Sequence, residues 1–315
     1  MNSSFNSVQS LINYPYICSP DLSEDIRQYE WKTKEEMEVR AKKALGQHFL
    51  TDQSIAKAIV DALEVEGIPT NPEGKVNVLE IGPGMGVLTQ YLLQREELNM
   101  KMVEIDTESV EYLMRTFNGM PGKLLEDDFL KMHPEKLFKG DFLVIGNFPY
   151  NISSQIFFKI LDYKESVPEV VGMIQKVVAE RIAEKPGTKT YGILSVLLQA
   201  WYDIEYLFTV GSGCFAPPPK VQSAVIRLRR NGRKDLGVDE NLFKMVVKTA
   251  FNQRRKTMRN SLKPMIQTKC QKMGWDLADK EHNPELQEFL SNPVFDLRPE
   301  RLSVEEFVAL ARLFE

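Results

Sequence analysis

Short apolar runs alternate with amphipathic stretches between about residue 53 and residue 230. The runs are rich in β-branched residues and end in glycine or polar residues, which is typical of buried strands. The stretches between them carry apolar positions at helical spacing. The pattern predicts strands at 76–81, 101–105, 124–125, 141–145, 170–174, 207–210 and 223–228, and helices at 54–63, 87–94, 108–117, 152–161, 177–184 and 193–201.

The alternation of strands and helices predicts an α/β fold. We expect a mostly parallel, doubly wound, Rossmann-like sheet with helices on both faces, closed by its last two strands as an antiparallel pair. The strand pattern disappears after about residue 231, and 240–251 and 304–314 are predicted helices. The chain is therefore divided into a sheet domain at 37–230 and a small C-terminal α-helical domain at 231–315.

Residues 1–36 show no clear periodicity and no glycine-rich motif, and they carry a net charge of −3. The informative sequence begins after them. We interpret this stretch as an N-terminal extension that is weakly ordered by itself, or as the product of an upstream start assignment.

The composition is 43% hydrophobic and 27% charged, as in ordinary soluble globular proteins. No apolar run approaches the roughly 20 residues that span a bilayer, and the N-terminus lacks the pattern of a secretory signal. Cys18, Cys214 and Cys270 are far apart and form neither a disulfide framework nor a zinc pattern. We therefore expect a cytoplasmic protein with no membrane partner and no metal site.

Basic residues are concentrated in one part of this acidic chain. The whole chain has a formal net charge of −4, yet residues 220–263 hold 13 Lys and Arg against three acidic residues, which leaves −14 elsewhere. A segregated basic block predicts a surface that binds phosphates. A solvated helix face is the alternative.

A glycine loop follows the first predicted strand of the sheet, where Gly82, Gly84 and Gly86 allow a tight turn and close approach of a ligand. The third glycine comes one residue too early for the dinucleotide fingerprint. Glu104 ends the next predicted strand, where an acid can accept both ribose hydroxyls of a nucleoside. The loop therefore favours S-adenosylmethionine over NAD, although a plain tight turn is also compatible with it.

An acidic pair follows the third predicted strand. In a methyltransferase sheet, Asp128 is placed to meet the adenine amino group of the cofactor. A helix N-cap is the alternative for Asp128 and for its neighbour Asp127.

The fourth predicted strand leads into Asn147-Phe148-Pro149-Tyr150. The Asn147 side-chain oxygen and the Pro149 carbonyl can each accept one hydrogen of an adenine N6 amine, which directs its lone pair towards a methyl donor. Tyr150 can stack on the base and contribute about 1–3 kcal/mol. Phe215 begins a segment with three prolines and is a candidate for the other face of the base. A turn after the strand and a surface loop are the respective alternatives.

These motifs resemble those of the ribosomal RNA adenine dimethyltransferase family of the KsgA type, from about Lys42 to the C-terminus. The matching segments, in family order, are 43–50, 80–86, 104, 128, 147–150, 215–223 and 251–262. Two residues depart from the family pattern: Phe148 stands where Leu is commoner, and His48 stands where Asn is frequent. Whether His48 contacts the cofactor through its side chain or its backbone stays open.

The resemblance implies a Rossmann-like methyltransferase sheet and a role for each motif. The implied cofactor residues are His48, Leu50, Gly82, Gly84, Glu104, Asp128 and Asn147, and the implied catalytic residues are Asn147, Pro149, Tyr150 and Phe215. The implied RNA-binding residues are Lys220, Arg254, Arg255, Lys256 and Arg259. On a helix, Arg255 and Arg259 would be i,i+4 neighbours on one face.

The resemblance also implies a reaction. Four methyl transfers from S-adenosylmethionine would convert two adjacent adenosines near the 3′ end of small-subunit (16S) ribosomal RNA to N6,N6-dimethyladenosines. The implied partner is the immature 30S particle late in its biogenesis, bound by a monomeric enzyme.

Three other interpretations remain open. The first is the related adenine methyltransferase of large-subunit ribosomal RNA that confers macrolide resistance; the Phe251–Leu262 and Phe215–Lys220 segments favour the small-subunit enzyme. The second is a largely non-catalytic ribosome assembly factor or a transcription factor built on the same fold, against which the intact Asn147 motif argues. The third is an NAD-linked oxidoreductase.

Overall fold

The computed structural model describes residues 39–315, so the interpretation of residues 1–36 lies outside the described part. The strands are β1 (Phe49–Leu50), β2 (Val76–Ile81), β3 (Leu98–Glu104), β4 (Leu124–Glu126), β5 (Leu143–Asn147), β6 (Glu169–Gln175), β7 (Tyr202–Val210), β8 (Phe215–Ala216) and β9 (Ser223–Arg230). The helices are α1 (Gln53–Asp61), α2 (Thr89–Leu92), α3 (Thr107–Thr116), α4 (Ser153–Asp162), α5 (Lys176–Ala183), α6 (Ile193–Gln199), α7 (Glu240–Asn252), α8 (Met258–Ser261), α9 (Lys263–Met273), α10 (Pro284–Ser291) and α11 (Val304–Arg312).

Seven strands form the main sheet in the order β4-β3-β2-β5-β6-β9-β7. Neighbours from β4 to β6 are parallel, whereas β9 pairs antiparallel with both β6 and β7. The predicted doubly wound sheet and its closing antiparallel pair are therefore confirmed. β7 begins five residues earlier than predicted, because Tyr202 to Tyr206 continue the pairing with β9 on the other side of an irregularity between Tyr206 and Phe208.

Apolar side chains cover both faces of the sheet. Along β2, Val78 packs in the cluster that contains α1, whereas the next residue, Leu79, packs in the cluster of α4 and α6. Leu143 and Val144 of β5 divide between the same two clusters. Because successive strand residues point to opposite faces, continuous apolar runs are what a sheet buried on both sides requires.

The last part of the chain is helical, as predicted. Phe243 of α7 and Phe307 of α11 belong to the same buried cluster as Leu197 of α6. The C-terminal helices are therefore packed directly on the helices that cover one face of the sheet. Within residues 39–315, no helix has the length and apolar character needed to cross a membrane.

The basic segment 251–262 is not one continuous helix, so the condition for Arg255 and Arg259 to be i,i+4 neighbours is not met. Helix α7 ends at Asn252, and α8 begins only at Met258. Between them Thr257 is extended (φ −69°, ψ 162°), because the buried Met258 donates its amide hydrogen to the Leu297 carbonyl at 2.8 Å. This tertiary hydrogen bond and the burial of Met258 break the helix, so Arg255 and Arg259 do not share one helix face.

Two glycines on neighbouring strands make room for the ring of Phe148. Gly146 of β5 pairs in register with Gly172 of β6, and the fully buried Phe148 ring lies against both. A Cβ at Gly172 would lie 2.6 Å from Phe148 Cε2, and one at Gly146 would lie 2.8 Å from Phe148 Cε1. Phe148 is larger than the Leu that is commoner at this position, and the two glycines beneath its ring leave the space that the ring occupies.

Gly172→Ala is expected to destabilise the protein by about 1–3 kcal/mol, because a methyl group would overpack this contact. Phe148→Leu in the same chain should recover part of the loss, since the shorter side chain vacates the ring's position. Urea unfolding of the two variants measures both effects. Gly213→Ala is the matched control, as no atom lies within 4 Å of its added Cβ. Equal stability of Gly172→Ala and the unsubstituted chain would contradict the packing argument.

Candidate active site

A cleft opens at the carboxyl ends of β2 and β5. The chain runs from β2 outwards to β3 and β4, then returns to the other side of β2 as β5 and β6. Such a reversal leaves a crevice where open α/β sheets bind ligands. Nine of the predicted site residues line this cleft: His48, Leu50, Gly82, Gly84, Glu104, Asp128, Asn147, Pro149 and Tyr150.

The glycine loop has a left-handed backbone at Gly82 (φ 66°) and Gly86 (φ 80°). A Cβ at Gly86 would lie 2.5 Å from the Phe117 ring, so the third glycine serves close packing of the loop against α3. Gly82 faces Pro149 across the cleft, with 3.8 Å between a Cβ placed there and Pro149 Cδ. The backbone at Gly82 therefore forms one wall of the cleft, and residues 147–150, here called the target motif, form the other.

Glu104 joins the glycine loop to the end of β3. Its carboxylate accepts hydrogen bonds from the backbone amides of Gly84 at 3.0 Å, and of Ile105 and Asp106 at 2.9 Å each. The residue is only 5% exposed, and burial raises the pKa of its carboxyl although the three amides partly offset that effect. These three hydrogen bonds hold the Glu104 carboxylate in place at the cleft. Its oxygens keep further lone pairs that can accept hydrogen bonds from a ligand.

Asp128 caps a turn at 129–131 and not a helix, and its predicted contact with the cofactor stays a prediction. It lines the cleft, and it also accepts the Leu130 amide hydrogen at 2.9 Å and pairs with Lys131 at 3.2 Å. Between Glu104 and Asp128, the side chain of Ile105 lines the cleft with 51% of its surface exposed. Sequence reasoning missed Ile105; the available signal was an apolar residue directly after an acidic strand end. Two acids around an apolar surface fit the adenosine part of S-adenosylmethionine.

The segment 42–50, here called the strap, crosses the cleft from the cofactor edge to the target motif. The His48 carbonyl accepts a hydrogen bond from Asn147 Nδ2 at 3.1 Å. The His48 ring donates from Nδ1 to the Pro217 carbonyl at 2.9 Å and lies 5.3 Å from the Tyr150 ring. Both the backbone and the side chain of His48 are thus used to join three parts of the site.

The target motif presents acceptors to the cleft. Because Nδ2 of Asn147 donates to the strap, its Oδ1 is left as an acceptor at the cleft. The Pro149 carbonyl accepts the Ile152 amide hydrogen at 3.2 Å and retains a second lone pair. Tyr150 makes a short hydrogen bond with Ser223 through its hydroxyl group, and burial raises the pKa of the phenol more than this bond lowers it. The ring of Tyr150 is thereby held at the wall.

Phe215 is not brought to the cleft. Its ring is 4% exposed and packs in the cluster with Leu50 and Val225. β8, which begins with Phe215, pairs antiparallel with β1 of the strap, with Leu50 opposite Phe215. The structure therefore places Phe215 beneath the strap, and its predicted contact with the base stays a prediction.

Six of the 13 basic residues in the block at 220–263 form ion pairs with acids from other parts of the chain. Its paired members and their partners are Arg227 with Glu64 and Glu205, Arg229 with Glu64 and Glu169, Arg230 with Glu165, Arg233 with Glu305, Lys244 with Asp162, and Arg259 with Asp296. The charge count therefore overstates the cationic surface of this block.

The remaining predicted RNA-binding residues lie at the surface. Lys220, Arg255 and Lys256 are exposed and form no ion pair among residues 39–315. Arg254 donates to the Thr188 carbonyl at 3.4 Å, which places the turn at 253–256, with Arg254, Arg255 and Lys256, beside the loop 184–190. That loop carries two exposed lysines, Lys185 and Lys189, which sequence reasoning missed because only the fold brings them near the turn.

Comparisons with known proteins identify the family of this chain. A family model described as ribosomal RNA adenine dimethylase matches residues 38–285. The ribosomal RNA small subunit methyltransferase A of Parabacteroides distasonis is 56% identical over 273 residues, which cover 86% of this chain and 93% of that protein. Its counterpart of the same name in Phocaeicola vulgatus is 54% identical over 278 residues, covering 88% of this chain and 90% of that protein.

Solved structures share the fold. The dimethyladenosine transferase from Plasmodium falciparum superposes with a TM-score of 0.64 at 23% identity, covering 84% of this chain and 96% of the other. The 23S rRNA methyltransferase ErmE gives a TM-score of 0.56 at 22% identity, covering 84% and 99%. The predicted methyltransferase sheet is thereby confirmed. The matches in sequence extend over most of the chain, and the chain therefore belongs to the ribosomal RNA adenine dimethylase family.

Proposed function

We propose that this chain transfers methyl groups from S-adenosylmethionine to N6 of adenosines in small-subunit ribosomal RNA. The observation that carries the proposal is the hydrogen bond from Asn147 Nδ2 to the strap, which leaves Oδ1 as the acceptor of a residue that lines the cleft, as Pro149 also does. Two acceptors on one wall match the two hydrogens of an exocyclic amine. The names of the relatives supply the small-subunit RNA as the substrate class.

The cofactor residues fit the proposal. Glu104 would accept the ribose hydroxyls, Asp128 would accept from the adenine amino group, and the exposed Ile105 would pack against the adenine ring. Gly82, Gly84, His48 and Leu50 would border the remainder of the bound molecule. When bound, the cofactor supplies an electrophilic methyl group on a sulfonium.

The residues of the chain then position the amine. Asn147 Oδ1 and the Pro149 carbonyl accept the two N6 hydrogens and direct the lone pair towards the methyl group. Tyr150, held by Ser223, stacks on the adenine after it has left its own stack in the RNA. No strong base is required before transfer, because the amine loses its proton only after the new C–N bond forms. Orientation of the two reactants supplies much of the rate enhancement.

The finer parts of the proposal follow the family resemblance. We propose two adjacent adenosines near the 3′ end of 16S RNA as the target, and the immature 30S particle as the form in which they are met. We further propose that the enzyme acts as a monomer in the cytoplasm. Lys220, Arg254, Arg255 and Lys256 would contact phosphates, supported by their position at the surface.

Incubation of immature small subunits with labelled S-adenosylmethionine tests the proposed function. Mapping the label should locate it at N6 of two adjacent adenosines near the 3′ end. Large-subunit RNA is offered in a parallel reaction. Label confined to large-subunit RNA would favour the macrolide-resistance type of enzyme, and no label on either RNA would favour an assembly factor without catalysis.

Arg255→Ala is expected to weaken RNA binding and to reduce the slope of log affinity against log salt by about one, because one phosphate contact is lost. Arg259→Ala is the matched comparison. Arg259 donates to Asp296 at 3.0 Å and to the Leu290 carbonyl at 3.0 Å, so its removal should lower thermal stability more than RNA affinity. Titration of both variants with small-subunit RNA at several salt concentrations measures the difference. Equal salt slopes for Arg255→Ala and the unsubstituted chain would contradict the phosphate contact.

A further inference from the structure

A buried carboxylate ties the strap to the end of β3. Asp106 follows Glu104 by two residues, and its side chain is only 2% exposed. It accepts a short hydrogen bond from Lys42 Nζ, a bond from Ser109 Oγ at 2.9 Å, and one from Gln47 Nε2 at 3.3 Å. Two of these three donors, Lys42 and Gln47, belong to the strap.

The same two strap residues are joined to each other. The Lys42 backbone amide donates to Gln47 Oε1 at 2.8 Å, so the Gln47 amide bridges the strap backbone and the Asp106 carboxylate. Gly46, between them, has a left-handed backbone (φ 65°), and a Cβ there would lie 2.6 Å from Asn151 Oδ1. The start of the strap is thus a closed turn with Asp106 on one side and Asn151, which directly follows the target motif, on the other.

The far end of the strap orients the catalytic amide. His48 follows Gln47 directly, and its carbonyl is the acceptor for Asn147 Nδ2. Asp106 also donates its own backbone amide to Glu104 Oε1 at 2.9 Å. Asp106 therefore contacts two parts of the site. Its backbone amide binds Glu104, the proposed ribose-binding acid, and its side chain binds the strap, whose His48 carbonyl holds Asn147.

We propose that Asp106 is a positioning residue, which holds the strap through Lys42 and Gln47 so that the His48 carbonyl orients Asn147. The inference rests on the proposed function, whose catalytic amide it concerns. Asp106 does not itself line the cleft, and its side chain makes no hydrogen bond to the target motif, so it acts on Asn147 through the strap. An uncharged residue at this position would leave Lys42 with only the exposed Glu108, at 3.1 Å, as its partner.

The electrostatics of the contact agree with this role. Burial by itself would raise the pKa of Asp106, yet the hydrogen bonds from Lys42, Ser109 and Gln47 outweigh burial and lower the pKa. The same contact, together with Glu108, raises the pKa of the Lys42 ammonium. The pair is therefore ionised in both partners at neutral pH, and a charge-assisted hydrogen bond holds the strap more firmly than a neutral one would.

The test compares Asp106→Asn, Lys42→Met and the double variant with the unsubstituted chain. Each single variant is expected to lower kcat on immature small subunits by about tenfold while KM for the particles stays unchanged, since the amide is misoriented but the RNA surface is intact. The double variant should be no slower than Asp106→Asn, because both changes remove one contact. Lys42→Arg should recover most of the rate.

Trypsin supplies a readout that needs no methylation, so failure of the proposed function can be told apart from failure of this inference. Cleavage after the exposed Lys43 should be at least several times faster in Asp106→Asn and Lys42→Met. Lys57→Met and Asp61→Asn, which break an exposed pair on α1, are the controls and should leave both kcat and cleavage unchanged. Unchanged cleavage after Lys43, or a kcat loss that is equal in the α1 controls, would overturn the assignment.

Discussion

Asn147→Ala is expected to reduce kcat by on the order of 10³-fold, because it removes a preorganised acceptor that acts on the reacting amine. The His48 carbonyl holds the Asn147 amide in a single orientation, so the acceptor requires no reorganisation during the reaction. Binding to immature small subunits should persist, since the residues proposed to contact phosphates lie outside the cleft. Single-turnover methylation and particle pull-down measure the two quantities separately.

Asn147→Asp tests orientation separately from the presence of an acceptor. The carboxylate retains acceptor oxygens, but it cannot donate to the His48 carbonyl and faces that oxygen with like partial charge. We therefore expect a loss of rate nearly as large as for Asn147→Ala. Full activity of either variant would remove Asn147 from the mechanism. Loss of particle binding along with loss of rate would show that the substitution acts on folding or docking instead of on chemistry.

The strands and the loops that end them can be predicted from the sequence, because those features depend on local patterns. The apolar run at Val76–Ile81 is a strand with the predicted bounds, and Asp52 caps α1 by accepting from Ser54 and Ile55. Glycine spacing and the acid at the end of β3 are likewise local. Seven of the nine cleft residues could be named from such patterns, since parallel strands deliver their carboxyl ends to one edge, whereas His48 and Leu50 were named only through the family resemblance.

Features that depend on contacts between residues far apart in the chain could not be predicted from local sequence patterns. The basic block looks like one cationic surface in sequence, but Arg227 and Arg229 meet Glu64, which lies far away in the chain. The helix through the basic segment is interrupted because Met258 finds the Leu297 carbonyl. The burial of Phe215 follows from the pairing of β8 with β1. In each case a tertiary contact overrides a local tendency.

Glu80 carries a buried carboxyl group that has no part in the proposed mechanism. Glu80 is 1% exposed at the end of β2, and its Oε2 accepts a hydrogen bond from the Thr89 hydroxyl at 2.8 Å. Burial, to which the neighbouring Glu104 adds, raises the pKa of Glu80 from an ordinary value of 4.5 to about 8, against the lowering effect of Thr89. Glu80 is therefore protonated in the folded protein at neutral pH.

The sign of the pH dependence follows from the proton count. Between pH 4.5 and about 8 the folded protein keeps a proton on Glu80 that the unfolded chain has released. The folded state binds more protons, so its contribution to stability is complete below pH 4.5 and is lost as the pH rises towards 8. The slope from this one group is about 1.4 kcal/mol per pH unit.

Glu80→Gln should remove this dependence, because glutamine fits the same space and keeps an acceptor for Thr89 without titrating. The stability advantage of Glu80→Gln over the unsubstituted chain should grow steadily as the pH rises through this window, in urea unfolding measured without cofactor. Glu97→Gln is the matched control. Its exposed carboxyl has a pKa that Arg95 lowers despite partial burial, so it is ionised in both states and its removal should leave the slope unchanged. If the free energy of unfolding changed with pH in the same way for Glu80→Gln and the unsubstituted chain, Glu80 would be ionised in the folded protein. The cleft would then hold a negative charge at Glu80 before any cofactor binds.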